Sequence, residues 1–422
     1  MRMTDSLASV FERRESEVCS YSRTWPVVFD RAEGSRLYGV DGVPYLDFFA
    51  GAGSLNYGHN NPVLKRALIS YLEHDGVTHA LDMWTAARED LLKTLEEKIL
   101  APRGLDYKVV FPGPAGANAV EAALKLARKV TGKQGLAYFR NAFHGMTLGA
   151  LSVNGNHATR SSAGISLSHT KELPYDDGLS DVADLEGLLA ACPGGLAGTA
   201  AVIVETVQGE GGINVARGQW LRALAAACRR HDVLLILDDI QMGCGRLGPF
   251  FSFEDAGVEP DIVCLSKSIS GYGLPMALML IRPELDVWKP AEHNGTFRGF
   301  NLAFVTGAEA MRAYWSDDEL EKSTRTKGER VADGLRQIAV SYPGAGLAAR
   351  GRGLAQGLRT AGGEMAGRIS AEAFERGLLV ETCGPQGKVV KLLPPLSVTT
   401  GEVDQALEIL DASVKSALAR LA

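Results

Sequence analysis

Two hydrophobic periods alternate along most of this chain. Short apolar runs bounded by glycine, proline or an acid read as buried strands. Longer stretches with apolar residues three and four apart read as helices. Residues 108–111 predict a strand, 112–118 a turn, and 119–133 a helix with Val120, Ala123, Leu124, Ala127 and Val130 on its apolar stripe. Further strands are expected at 136–139, 200–204, 233–237, 261–266 and 276–281, with a helix at 220–231. Strand and helix alternating over 107–281 predict an α/β fold with a mainly parallel sheet. Upstream, a polar, partly helical lead-in covers 1–20, residues 36–47 read as a hairpin about Asp41-Gly42, and 62–74 and 85–100 as helices. Past 301 come helices at 302–315 and 320–340, a glycine-rich turn at 344–353 and a strand at 388–393. The expected division is an N-terminal segment 1–50 joining a small domain, a large ligand-binding domain 51–305, and a small α+β domain 306–422.

Composition narrows the class. A chain of 422 residues, 46% hydrophobic and 22% charged, has the balance of a globular protein with large cores. Its net charge of −6 argues against a nucleic-acid or membrane-surface partner, which would favour a basic face. No apolar run is long enough for a transmembrane helix, and the charged N-terminus lacks the apolar core of a secretory signal. The six cysteines are scattered, with no CxxC pair. They point to a reducing cytoplasm, thiols used as small core residues, and no metal site.

Candidate chemistry gathers at two strand ends. The run 233–237 delivers Asp238-Asp239-Ile240-Gln241, and 261–266 delivers Lys267. In open α/β sheets the C-terminal rim of parallel strands is where ligands bind. A carboxylate and an amine at one rim suit pyridoxal 5′-phosphate (PLP), which needs a lysine for covalent attachment and an acid at its ring nitrogen. The alternative is that Asp238 caps a helix and Lys267 is solvated. Glycine-dense 48–62 reads equally as a backbone made for close ligand approach or as a plain loop. The small-residue turn before helix 119–133 suits a phosphate at a helix N-terminus. Asn118 and Glu121 have the spacing of a helix cap, which would explain them without a ligand.

Several motifs then agree in order: Gly58-His59 with Pro62, Phe143-His144-Gly145, Glu205-Thr206-Val207-Gln208-Gly209-Glu210, Asp238-Asp239-Ile240-Gln241, Lys267 and Gly295-Thr296-Phe297. Over nearly its whole length the chain resembles the class III (ω-amino acid) aminotransferases. That resemblance implies PLP fold type I, like aspartate aminotransferase, and assigns roles. Lys267 would carry the cofactor and move protons, and Asp238 would keep the ring nitrogen protonated. Ile240 and Phe143, with His144 beside it, would cover the ring faces, and Gln241 would meet the phenolic oxygen. Gly116, Ala117 and Asn118 would hold the phosphate, with Thr296 reaching in from a partner subunit, so a homodimer with shared sites is implied. Glu210 would gate the substrate, and Lys391 and Arg298 are the candidate carboxylate binders.

Four positions depart from the family pattern. Ala115 and Ala117 replace hydroxyl residues, Asp239 replaces Glu, Phe300 replaces Asn, and Lys391 replaces Arg. Lysine cannot offer arginine's bidentate fork. Residues 48–53, 78–83 and 295–299, together with Lys391, resemble the subgroup of ectoine biosynthesis. The expected substrates are therefore L-aspartate 4-semialdehyde and L-2,4-diaminobutyrate, paired with glutamate and 2-oxoglutarate. Another ω-amino acid aminotransferase, acting on ornithine or 4-aminobutyrate, is the alternative. A PLP aminomutase or racemase on the same scaffold is a more distant one, and a cofactor binder that does no chemistry is a reading from a different class.

Overall fold

The computed structural model describes residues 10–176, 178 and 181–420, so the first nine residues of the expected lead-in lie outside it. Strands β1 (Phe29–Glu33), β2 (Arg36–Gly39) and β3 (Pro44–Asp47) form an antiparallel meander. The β2–β3 turn forms at the expected Asp-Gly pair: Gly42 has φ +82°, and the Asp41 carboxylate accepts the Val43 N–H at 3.2 Å. β3 also pairs in parallel with Leu378–Leu379, tying the N-terminal segment to the C-terminal third. Helix α1 (Pro62–Glu73) starts under the Asn61 side chain, with proline at its first position. Helix α2 (Ala86–Leu95) continues as a π-helical turn, Glu96–Leu100, within the stretch expected to be one helix.

The central sheet has seven strands: β4 (Lys108–Val110), β5 (Gly135–Phe139), β6 (Thr170–Leu173), β7 (Thr199–Val204), β8 (Leu234–Asp238), β9 (Ile262–Leu265) and β10 (Leu278–Ile281). Their order is β4-β10-β9-β8-β7-β5-β6. Every neighbouring pair is parallel except those of β10, which runs against both β9 and β4. Side chains alternate between two cores, as a period of two requires. Leu235, Leu237 and Val263 enter one core with α4 (Gly218–Arg230). Ile236, Ile262 and Met279 enter the other, with α3 (Gly116–Thr131). α3 begins three residues before the expected start. This moves Asn118 inside the helix, where its side chain accepts the Ala115 N–H at 3.0 Å. Glu121 does not pair with it. It caps a separate turn by accepting from Gly149 and Ala150.

Beyond α5 (Asn301–Tyr314) and α6 (Glu319–Ser341), the expected glycine-rich turn is in part a strand. β11 (Ala348–Arg352) and β12 (Ala355–Arg359) form a hairpin about Gly353, at φ +54°. Helix α7 (Gly363–Glu375) follows, then β13 (Glu381–Cys383), β14 (Val389–Leu392) and α8 (Thr400–Ala419). The small sheet has the order β11-β12-β14-β13. Val331, Leu335, Ile369, Val403 and Leu410 of the three helices pack on Leu358, Val390 and Leu392 of its strands. No described helix is long and apolar enough to cross a membrane.

Candidate active site

Parity decides which acid of β8 faces the site. Asp238 shares the face of Ile236, the side on which α3 packs, while Asp239 turns toward the opposite core. The His144 Nδ1–H donates to Asp238 Oδ2 at 2.6 Å, and Asp238 Oδ1 accepts the Ile240 N–H at 3.1 Å. His144 is itself fixed by its backbone N–H on Asn154 Oδ1, at 2.6 Å, and its Nε2 is buried without a partner. Glu205, at the end of β7, accepts the Phe143 N–H at 3.3 Å. Burial, and then the neighbouring Asp238, pushes the Glu205 carboxyl well above its usual range.

Lys267 follows β9 with φ +53°, a left-handed conformation unusual for a side chain of its size. Its Nζ donates to the Ala52 carbonyl at 2.8 Å. Burial lowers the amine below the ordinary 10.5, against the opposing pull of Glu210. The Ala52 carbonyl also accepts Gln241 Nε2 at 3.0 Å. It is aimed there by a run of four residues, Ala50, Gly51, Ala52 and Gly53, all with positive φ. These groups enclose a cavity of about 180 Å³ between β8, β9 and the start of α3. Gly116 packs closely there: a Cβ would lie 3.0 Å from Ile240 Cδ1 and press that side chain aside. Gly116 and Ala117 line the cavity, and Phe143 stands exposed at it. In the first turn of α3 the backbone N–H groups have no intrahelical acceptor.

Behind Glu210 stands Lys391, on β14 and fully buried. Its Nζ lies 2.5 Å from Glu210 Oε1 and 2.9 Å from Glu381 Oε1. Gln241 Nε2 donates to the same Glu210 oxygen at 3.2 Å. Burial alone would lower the Lys391 amine, but the two carboxylates hold it above its ordinary value. The Lys391 and Lys267 amines hold the Glu210 carboxyl below its usual range, although burial opposes them.

The family profile of the class-III aminotransferases matches residues 19–414. The chain belongs to the class III aminotransferases. Two curated relatives carry the name diaminobutyrate–2-oxoglutarate transaminase. One, from Streptomyces avermitilis, is 60% identical over 98% of this chain and 99% of its own. The other, from Nocardia farcinica, is 59% identical over 98% and 95%. Among solved structures, an ornithine aminotransferase from Toxoplasma gondii is 27% identical, with a TM-score of 0.87 over 99% of this chain and 95% of its own. Its active site holds PLP at partial occupancy. The fold of this aminotransferase is therefore PLP fold type I.

Most residues singled out from the sequence converge in this aminotransferase: Gly116, Ala117, Phe143, His144, Glu210, Asp238, Ile240, Gln241 and Lys267 all line the one cavity. Asn118 instead closes the turn at Ala115. Thr296 is exposed, and its carbonyl meets His79 Nε2 at 2.5 Å, away from the cavity. Arg298 spends its N–H groups on the carbonyls of Phe111 and His293. Glu205 was legible only as part of a motif. Ala52 was legible only as part of the glycine-dense stretch, and Glu381 carried no local signal, because its place depends on a contact with another strand.

Proposed function

We propose that this aminotransferase transfers an amino group from glutamate to L-aspartate 4-semialdehyde, reversibly, giving 2-oxoglutarate and L-2,4-diaminobutyrate, with PLP as cofactor. The observation that carries the reading is the pairing, across one cavity, of a buried lysine amine with a histidine-supported aspartate, in a chain 60% identical to a transaminase of that name. The donor set fits PLP. It offers an amine for attachment, a carboxylate for the ring nitrogen, an unpartnered buried His144 Nε2, and a helix N-terminus for a phosphate. When bound, PLP supplies the electron sink that lets an amino group leave one carbon skeleton and join another.

The residues divide that work. Lys267 holds the cofactor and afterwards shuttles the proton at the reacting carbon. Burial favours its neutral form, the form that can take a proton. Asp238, oriented by His144, keeps the ring nitrogen protonated. Ile240 and Phe143 cover the ring faces, Gln241 serves the phenolic oxygen, and the N–H groups of Gly116 and Ala117 serve the phosphate, with Asn118 holding their turn. Glutamate brings a carboxylate on its reacting carbon, and this carboxylate takes the place of Glu210 on Lys391. Diaminobutyrate has none on its reacting carbon and leaves the Glu210–Lys391 pair closed. Thr296 acts in the site of a second copy, so the enzyme works as a homodimer.

The test is chemical. Borohydride reduction and peptide mapping place the pyridoxyl group on Lys267, and Lys267→Ala loses about 10²–10⁴-fold in turnover. Label on another lysine would reject the assignment. Turnover of ornithine in preference to diaminobutyrate would reject the substrate.

A further inference from the structure

Glu381 is the one member of the Lys391 cluster left without a role by this reading. In the register of β13 and β14 it stands directly opposite Lys391, so the two side chains leave the small sheet on one face. Its Oε1 lies 2.9 Å from the Lys391 ammonium, and its Oε2 accepts the Tyr21 hydroxyl at 3.2 Å. The ammonium and the hydroxyl flank the carboxyl group from two sides, while burial raises it against the pull of Lys391. Glu210 takes the same ammonium from the cavity side. One ammonium lies between two carboxyl groups, and with both ionised the cluster carries an excess negative charge. A simple lysine–glutamate pair would be neutral.

We propose that Glu381 is a specificity-determining residue, whose charge behind Lys391 favours the substrate ending in an ammonium and restrains the dicarboxylate. The proposal rests on the transamination reading above. Diaminobutyrate presents an ammonium beside its carboxylate at the end remote from the reacting amine. Glutamate and 2-oxoglutarate present two carboxylates and no distal ammonium. An added anion attracts the first and repels the others. In the effective dielectric of a partly buried site, one charge within about 10 Å of another changes binding by about tenfold or more. Glu381 also leaves Lys391 paired while Glu210 is displaced, so the buried ammonium is never without a partner.

The experiment removes the charge and keeps the shape. Holoenzyme carrying Glu381→Gln is titrated calorimetrically with glutarate, a dicarboxylate with no amino or keto group to react. It should bind glutarate about tenfold more tightly than the wild type. In steady state, the ratio of kcat/KM for diaminobutyrate to that for glutamate should fall by a similar factor, with the change carried by KM. Glu381→Asp keeps the charge and should restore the ratio. Tyr21→Lys brings a cation to Oε2 from the half-exposed side, without altering the buried strands. It should shift glutarate binding in the same direction even if Glu381→Gln does not fold. Unchanged or weaker glutarate binding in the neutralised variants overturns the proposal. An equal loss for both amino acids, the mark of a purely structural Glu381, also overturns it. If wild-type enzyme does not use diaminobutyrate, the substrate reading fails, and the glutarate titration still decides the role of the charge.

Discussion

Lys391 shows what a single buried charge demands. With no exposed surface, its ammonium exists only because Glu210 and Glu381 meet it from two sides. Lysine suits this geometry: its donors radiate from one point, whereas arginine's planar fork is built for one flat partner. Complete burial excludes a solvated strand end at Lys391. The same burial changes what Lys391→Ala measures. Removing the cation strands the buried Glu381 beside the part-exposed Glu210, at a cost of about 3 kcal/mol. A lower melting temperature at pH 8 is the expected result, with recovery toward pH 5 as carboxyl groups take up protons. A variant as stable as wild type would mean that the two acids are not held together by the lysine.

At the scale of elements, the end of β8 sorts two adjacent acids by parity alone. Asp238 enters the cavity. Asp239 enters the apolar layer, where its Oδ2 accepts the Ser252 N–H at 3.1 Å while Oδ1 is buried without a partner. Burial pushes the Asp239 carboxyl from 3.8 up to about 7, although its bonds to Ser252 oppose this. A carboxyl raised in the folded state contributes its stability fully below the unfolded value and loses it as pH rises through 3.8 to 7. Asp239→Asn lacks this titration, so its stability relative to wild type should climb between pH 4 and pH 8, by about 1.4 kcal/mol per pH unit at most, read as a rising melting-temperature difference. A flat difference would show that Asp239 is ionised throughout. The strands and amphipathic helices of the large sheet were mostly legible because their periods are local, whereas α7 and α8 were passed over. β6, β11 and β13 were not legible, because short strands form only when neighbouring strands supply their hydrogen-bonding partners.

For the whole molecule, one exposed apolar surface bears on assembly. Trp84 is 97% exposed, Phe297 65% and Met83 60%, all within two segments brought together by the His79–Phe300 bridge and the His79–Thr296 contact. Exposed apolar side chains gathered in this way mark an interaction surface. The proposed homodimer gives them a second copy to pack on and puts Thr296 to use. Trp84→Glu should therefore shift the protein to monomer by light scattering and weaken PLP retention together. A stable dimer with Trp84→Glu would move the interface elsewhere.

The sequence by itself determined the α/β class, the two strand ends that carry Asp238 and Lys267, and the small-residue start of α3. Each depends on local periodicity or on a turn that a few adjacent residues dictate. Tertiary structure alone decided that Ala52 offers its carbonyl to Lys267, that Glu381 stands across from Lys391, and that Arg298 is bound to backbone carbonyls away from the cavity. Those outcomes depend on pairings between segments far apart in the chain. A residue's neighbours along the chain cannot specify them, because what holds each charge is the partner that the fold brings to it.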